Sequence, residues 1–325
     1  MATVTRTQNE PAVEPPSHRP GRRRQREKYN RGESIAGFLF ISPWIIGFTV
    51  FTVISMLYSL RLSFSNYDLA TNERTPAGFE NYRLLFDDPK VLTSLGNTFF
   101  YTLLAVPLEV VLALALAALL ATVHRGSGFF RTVFYLPKMT PTIATAAIFL
   151  LLLNGNTGAI NRFLGLFGIP GPQWLTDPQW VKPAIVIMAV WTLAGSMVIL
   201  LAALQNVPRE LYEAADVDGA SRVRQFLSIT VPLISPTLFF VTIVQTIAAL
   251  QVFDQAFLLF YRDGTSSAPD AALFYGVYIY LQAFRQFNFG LAAAMAWLLF
   301  VIILGITAIQ INVGNRLVHY EGGGR

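Results

Sequence analysis

The chain has 325 residues, 54% of them hydrophobic and only 13% charged, about half the ~25% charge of a soluble domain. Such a composition, with 26 Phe, excludes a water-exposed globule, and the absence of cysteine excludes disulfides and thiolate metal sites while leaving the redox compartment open. The formal net charge of +5 comes mainly from residues ahead of the first apolar stretch, so it does not point to nucleic acid.

Residues 1–33 are rich in Pro, Arg and polar side chains, which predicts a disordered basic tail. Its run Arg22-Arg23-Arg24-Gln25-Arg26-Glu27-Lys28 suits anionic lipid headgroups. Residues 34–320 are expected to form one all-α membrane domain, followed by a short tail at 321–325. Crossing a bilayer takes about 20 apolar residues. Six stretches of that kind lie near Gly37–Leu60, Thr98–Ala121, Val133–Leu153, Pro183–Leu204, Val231–Phe253 and Gly290–Ile311. The first starts too late and runs too long for a cleavable signal. Pro137, Lys138 and Pro141 interrupt the start of the third. With Pro43, Pro107, Pro232 and Pro236 they imply kinks, which packed transmembrane bundles tolerate.

Three longer connections, Arg61–Asn97, Asn154–Lys182 and Asp254–Phe289, contain turn formers such as Asn154-Gly155-Asn156, Ile169-Pro170-Gly171-Pro172 and Asp263-Gly264. Trp174 and Trp180 are expected at headgroup level, where aromatic belts form. These connections hold eight Lys or Arg, against fifteen in the two termini and the opposite connections. The positive-inside rule therefore places both termini, and the connection after the fourth span, in the cytoplasm.

Charges inside spans are costly and invite a functional reading. At 1.5 Å per residue, Glu109 lies roughly 18 Å from the cytoplasmic end of the second span and Lys138 about 8–9 Å into the third. That mismatch makes a direct ion pair marginal, and Lys138 is expected to snorkel toward the surface. Glu109 is either protonated and bonded to a neighbouring helix or lines a wet cavity. On the fifth span, Thr242, Gln245 and Thr246 fall at i, i+3 and i+4, with Gln251 nearer the outside. A polar stripe on an apolar helix must face protein or water. Trp191, with Gly195 and Ser196, offers a stacking surface and room beside it. Such neutral groups suit the hydroxyls and CH faces of a sugar, although interhelical packing is the simpler reading of any one of them.

Between the fourth and fifth spans, Val207–Pro236 is charged and reads as two short amphipathic helices meeting at Gly219. Pro208 suits a first helical turn, and Glu210 and Glu213 place negative charge where the helix dipole favours it. Leu211, Ala214 and Ala215 make a small apolar face. Gly219 can take the positive φ that ends a helix, and Ser221 can cap the next. Val223, Phe226, Leu227 and Thr230 form a second stripe, with Arg222, Arg224 and Gln225 off it.

The series Glu213-Ala214-Ala215, Asp218-Gly219-Ala220, Phe226, Ile229 and Pro232 resembles the cytoplasmic EAA loop of ABC importer permeases, in particular the carbohydrate-uptake branch of maltose and glycerol-phosphate permease type. The likeness extends from roughly Ile35 to Tyr320. It implies the type I importer permease architecture, with six transmembrane helices in the bacterial inner membrane. It also implies a second homologous permease subunit as heterodimer partner, a nucleotide-binding ATPase dimer and an extracytoplasmic solute-binding protein. Coupling to the ATPase would fall to Glu213, Ala214, Ala215, Asp218 and Gly219, with Glu213 in polar contact and Gly219 aiming the helix. The solute pathway would draw on Trp191, Thr242, Gln245, Thr246 and Gln251, and the solute would be a sugar or related polyol. One segment departs from the family: where a Thr-x-Gly-Gly-Pro run is common, this chain has Tyr261-Arg262-Asp263-Gly264-Thr265-Ser266-Ser267-Ala268-Pro269, so receptor docking is expected to differ.

No G-x-x-x-x-G-K-[ST] occurs, so a phosphate-cradling loop is lacking. His18, His124 and His319 are scattered, with no metal-ligand spacing. The chain is therefore expected to be a transport subunit and no enzyme, binding no cofactor itself, with ATP used by the partner ATPase. A secondary transporter would need more ionisable groups in its spans, and a non-transporting membrane scaffold would leave the Gly219 elbow unexplained.

Overall fold

The computed structural model describes residues 31–68, 73–123, 125–261 and 268–317. The Arg22–Lys28 cluster, nearly all of the basic tail, the tail at 321–325 and residues 262–267 of the divergent loop lie outside these.

Up to Ser55 the chain forms a unit of its own. Helix α1 (Arg31–Phe48) continues into a π-helical stretch, Thr49–Ile54. Phe38, Phe40 and Phe51 stand exposed on it, as suits a helix whose neighbour is lipid. The stretch Ile35–Ser63, which includes α2 (Ser55–Ser63), is long and apolar enough to cross a membrane.

From Met56 onward the second unit begins. A small antiparallel hairpin, β1 (Ser65–Asp68) and β2 (Glu73–Pro76), pairs Asn66 with Thr75 and Tyr67 with Arg74. Sequence patterning had offered no strand there. Helix α3 (Glu80–Asp87) leads to α4 (Pro89–Thr122), where Pro89 sits at the first turn and the Asp88 carboxylate accepts from the Lys90 N–H at 2.9 Å. Next come α5 (Ser127–Met139), α6 (Thr142–Leu152), α7 (Ala159–Leu166), α8 (Val181–Trp191) and α9 (Ala194–Gln205). The elbow helices α10 (Arg209–Val217) and α11 (Arg222–Gln225) run through a π-helical stretch into α12 (Val231–Leu250). Short α13 (Asp254–Phe260) and α14 (Tyr275–Tyr280) precede α15 (Phe289–Leu317).

Ile35–Ser63, Pro89–Thr122, Arg222–Phe260 and Phe289–Gly314 are single stretches of spanning length, and the other two expected spans are bent pairs. The third, Val133–Leu153, is not one rod: α5 and α6 meet at 93°. Pro141 is the cause. It disfavours helical backbone in the residue before it, and Thr140 is extended at φ −73°, ψ 131°. The fourth bends by 48° between α8 and α9, at a break, Thr192-Leu193, that holds no proline. There the Thr192 and Leu193 N–H groups bond three residues back, to Ala189 and Val190, the tighter turn of a 3₁₀ helix.

The main core forms where α4 packs against α8, α9 and α12. Ala105, Ala113 and Ala117 of α4 are buried there, and side chains that small let helices approach closely without a hydrophobic drive from lipid. Trp174 belongs to this core rather than to a headgroup belt. Its indole N–H donates to Asn161 Oδ1 at 2.7 Å, and its ring packs edge-on to Trp180 at 5.0 Å. An internal acceptor from α7 satisfies the polar edge that would otherwise have sought the interface.

A second cluster, including Leu85, Val91, Tyr275, Tyr278 and Met295, caps the end of the bundle where α4 begins. Asn97 Nδ2 donates to the Asp270 and Leu273 carbonyls at 2.7 and 2.9 Å. The Tyr275 N–H donates to Thr98 Oγ1 at 2.9 Å, and Asn81 Nδ2 reaches the Ser63 and Ser65 carbonyls at 2.9 and 3.1 Å. The Tyr278 hydroxyl donates to Asp88. Burial, and then that bond, push its pKa up to about 12, so it stays a donor.

Candidate functional site

The elbow is built as its residues dictate. Helix α10 ends at Gly219, whose φ is +70°, a conformation open to glycine at little cost. The Gly219 N–H bonds to the Asp216 carbonyl at 3.1 Å and the Ala220 N–H to the Ala215 carbonyl at 2.9 Å, closing the helix end. Ser221 then caps α11 by accepting from the Arg224 N–H at 3.4 Å. Tyr212 and Thr230 hydroxyls pair at 2.7 Å and tie α10 to the base of α12.

One reading of this loop needs correction. Gln225, expected off the apolar stripe, is only 4% exposed, while Val223 and Leu227, expected on it, are 69% and 61% exposed. The Gln225 amide donates to the Asp216 carboxylate and to the Ala220 carbonyl, the latter at 3.0 Å. It pins the elbow, because it satisfies acceptors on both sides of the turn. Of the expected stripe, Val223 and Leu227 face outward, Phe226 is half-buried and Thr230 is buried, and Leu211 and Val217 of α10 are exposed beside the first two. Glu213, Ala214, Asp218 and Gly219 are exposed and Ala215 is half-buried. Ala215, Asp218, Arg224 and Ser228 line a hollow of about 230 Å³ at the inner bend. An outward apolar rim, an exposed carboxylate at Glu213 and a shallow hollow make a surface suited to another protein.

The proposed pathway residues separate into groups. Gln245 Nε2 donates to Glu109 Oε1 on α4 and to Ser196 Oγ on α9, the second at 2.6 Å. Glu109 is thus bonded to a neighbouring helix, one of the two environments its sequence position allowed. The 93° break changes the geometry that a straight third span implied for Lys138, whose Cε lies 3.8 Å from where a Cβ on Gly195 would stand. Among the described residues Lys138 makes no ion pair with Glu109 within 4 Å. Glu109, Ser196 and Gln245 form one hydrogen-bonded cluster, joining the second, fourth and fifth spans.

The other stripe residues turn elsewhere. Thr242 Oγ1 bonds back to the Leu238 carbonyl, and Thr246 Oγ1 bonds to the Thr242 carbonyl while accepting from Gln310 Nε2 at 3.0 Å. Gln251 lies exposed at the end of α12. Trp191 is 52% exposed and meets Phe149 edge-on at 6.1 Å. The structure brings Gln245 to Ser196 and Glu109, and it leaves Thr242, Thr246, Gln251 and Trp191 outside that cluster. Gln310 went unnoticed because one Gln in an apolar helix carries no periodic signal.

Residues 110–319, from mid-α4 through the elbow to the end of α15, match the family described as binding-protein-dependent transport system inner membrane component. The chain belongs to this family. It is 40% identical over 293 residues to the probable ABC transporter permease protein YesP of Bacillus subtilis, covering 90% of this chain and 94% of that one. It is 33% identical to the lactose transport system permease protein LacF of Rhizobium radiobacter, covering 88% and 96%. Likewise it is 33% identical to the trehalose/maltose transport system permease protein MalF of Thermococcus litoralis, covering 87% and 95%. Its fold superposes with a TM-score of 0.76, at 23% identity, on a chain of a bacterial ABC transporter that imports alginate, covering 89% and 98%. The chain is thus a multi-pass membrane permease subunit of the ABC importer kind, and the secondary-transporter and scaffold readings fall away.

Proposed function

We propose that this permease forms one half of the pathway for a sugar or related polyol, delivered by an extracytoplasmic binding protein and driven by a separate ATPase seated on the 208–230 elbow. The elbow carries the coupling half of this reading: it presents Glu213, Val217, Val223 and Leu227 outward around a backbone fixed by Gly219, Gln225 and Ser221. A single such surface engages one nucleotide-binding domain. A dimeric ATPase therefore calls for a second, homologous permease subunit beside this one. The basic residues favour an orientation with both termini and the elbow in the cytoplasm.

The substrate half rests on chemistry and on relatives. LacF, MalF and an arabinooligosaccharides permease of Bacillus subtilis are all named for saccharides. Neutral amide and hydroxyl groups on α9 and α12, with the half-exposed Trp191 nearby in sequence, suit the same solutes. Tagging this chain and purifying it from membranes that hold its genomic neighbours tests the assembly. We expect a second permease and an ATPase in the eluate, and saccharide uptake after reconstitution with the binding protein. An active homodimer of this chain alone would overturn the heterodimer reading.

A further inference from the structure

We infer that Glu109 is a positioning residue: it holds the Gln245 side chain so that the amide carbonyl, and not the amide nitrogen, is offered to the solute. The inference rests on the saccharide reading above and adds a named device to it. An amide has two N–H donors and one acceptor oxygen, and its two ends are nearly the same in shape. Left alone on a helix, Gln245 would present either end. A carboxylate accepts only, so Glu109 decides which end turns toward it. Nε2 faces Glu109, and its second N–H is taken by Ser196 at 2.6 Å. Both donors are thereby consumed within the protein. Among the described residues nothing donates to the Gln245 carbonyl oxygen, and that oxygen is not sealed from its surroundings.

The result is an oriented acceptor on a half-buried side chain of α12. A free acceptor at membrane depth recognises a donor, and a hydroxyl of a neutral saccharide or polyol is the donor that fits without bringing a charge. Ser196 supports the arrangement from just beyond the bend in the fourth span. Two helices, α4 and α9, therefore set the direction of one amide.

The test uses the complete complex, reconstituted with its binding protein and ATPase, and radiolabelled lactose, maltose and trehalose as probes. Glu109→Gln keeps shape and size but offers an amide that can donate or accept, so the direction of Gln245 is no longer dictated. It is expected to raise KM for the transported sugar up to about tenfold, the upper scale of one neutral hydrogen bond, with Vmax and membrane abundance within about twofold of wild type. The exchange Glu109→Gln with Gln245→Glu rebuilds an amide–carboxylate bond between the same positions and again turns an acceptor oxygen toward the pathway, so abundance and KM are both expected to return toward wild type. A merely structural bond would lower abundance and melting temperature in Glu109→Gln and leave KM unchanged. An unchanged KM in Glu109→Gln, or a KM that stays raised in the exchange at restored abundance, overturns the inference while leaving the saccharide reading standing. Failure of the wild-type complex to import any of the three probes overturns both.

Discussion

The elbow and the cap are held by opposite kinds of bond. The elbow is fixed by contacts a few residues apart: Gly219 to Asp216, Ala220 to Ala215, Arg224 to Ser221 and Gln225 to Ala220. Its apolar side chains are left outside. The cap is fixed by contacts between segments far apart in the chain, such as Asn97 to Leu273 and Thr98 to Tyr275. Its side chains are buried. A local frame with an unsatisfied surface is what a docking element needs, since it keeps its shape while its partner comes and goes. A long-range frame with a satisfied interior keeps the ends of spans in register. Substitutions in the cap should therefore reduce the amount of folded protein, and substitutions in the elbow should reduce what it does.

The largest loss is expected from Gly290→Ala. A Cβ there would stand 2.1 Å from the Ser65 carbonyl oxygen, a backbone atom that cannot swing aside. Overpacking of this kind costs about 3 kcal/mol, so membrane abundance and thermal stability in detergent should both fall steeply. Wild-type stability in that variant would mean that the hairpin does not press on the start of α15. Asn97→Leu should follow closely. It leaves the carbonyl of the buried Leu273 without this donor, at about 2 kcal/mol. A melting temperature equal to wild type would show that the cap does not depend on that pin.

The same contrast explains what was legible in the sequence. Elbow chemistry is local, so Gly219 at the turn, Ser221 as a cap and Pro208 at a helix start follow from neighbours alone. The exception is Gln225, whose burial depends on Asp216 across the turn, and periodicity placed it on the wrong side. Six apolar stretches were visible from length and composition, but the 93° break in the third was visible only as an interruption at Pro137, Lys138 and Pro141. Cap residues such as Asn97 and Thr98 carry no periodic signature, because their partners lie more than 170 residues away. Within the membrane, Glu109 and Gln245 were each singled out, whereas their pairing depends on how α4 and α12 pack, which no local pattern encodes.

Gly219→Val moves the comparison to the elbow. A β-branched residue at φ +70° is strained by roughly 1–3 kcal/mol, yet the glycine has open space around it and no core contact is lost. The expected outcome is near-normal membrane abundance with ATPase copurification and sugar uptake reduced severalfold. Loss of abundance as deep as in Gly290→Ala would erase the distinction between the two regions.

Glu213→Lys is expected to disturb folding least and to sharpen the distinction most. The side chain is exposed, and among the described residues no ion pair within 4 Å and no hydrogen bond engages it. A surface substitution of this kind usually changes stability by about 0.5 kcal/mol or less. Two small opposing effects act on α10 itself. Lysine in the early turns meets the unfavourable end of the helix dipole and loses the attraction of Arg209 four residues earlier, but it gains the attraction of Glu210 and Asp216, each three residues away. The folded subunit should accordingly melt as wild type does. Association with a nucleotide-binding subunit is a different quantity, because there the charge at 213 meets a partner surface chosen for a carboxylate, and reversing it replaces attraction with repulsion. The measurement is the ratio of copurified ATPase to permease, taken at two salt concentrations alongside the melting temperature. A ratio that falls at low salt and partly recovers at high salt, at unchanged melting temperature, marks a lost charge contact on an intact elbow. A wild-type ratio at both salts would remove Glu213 from the docking surface and leave the exposed apolar rim of Val217, Val223 and Leu227 to carry the contact.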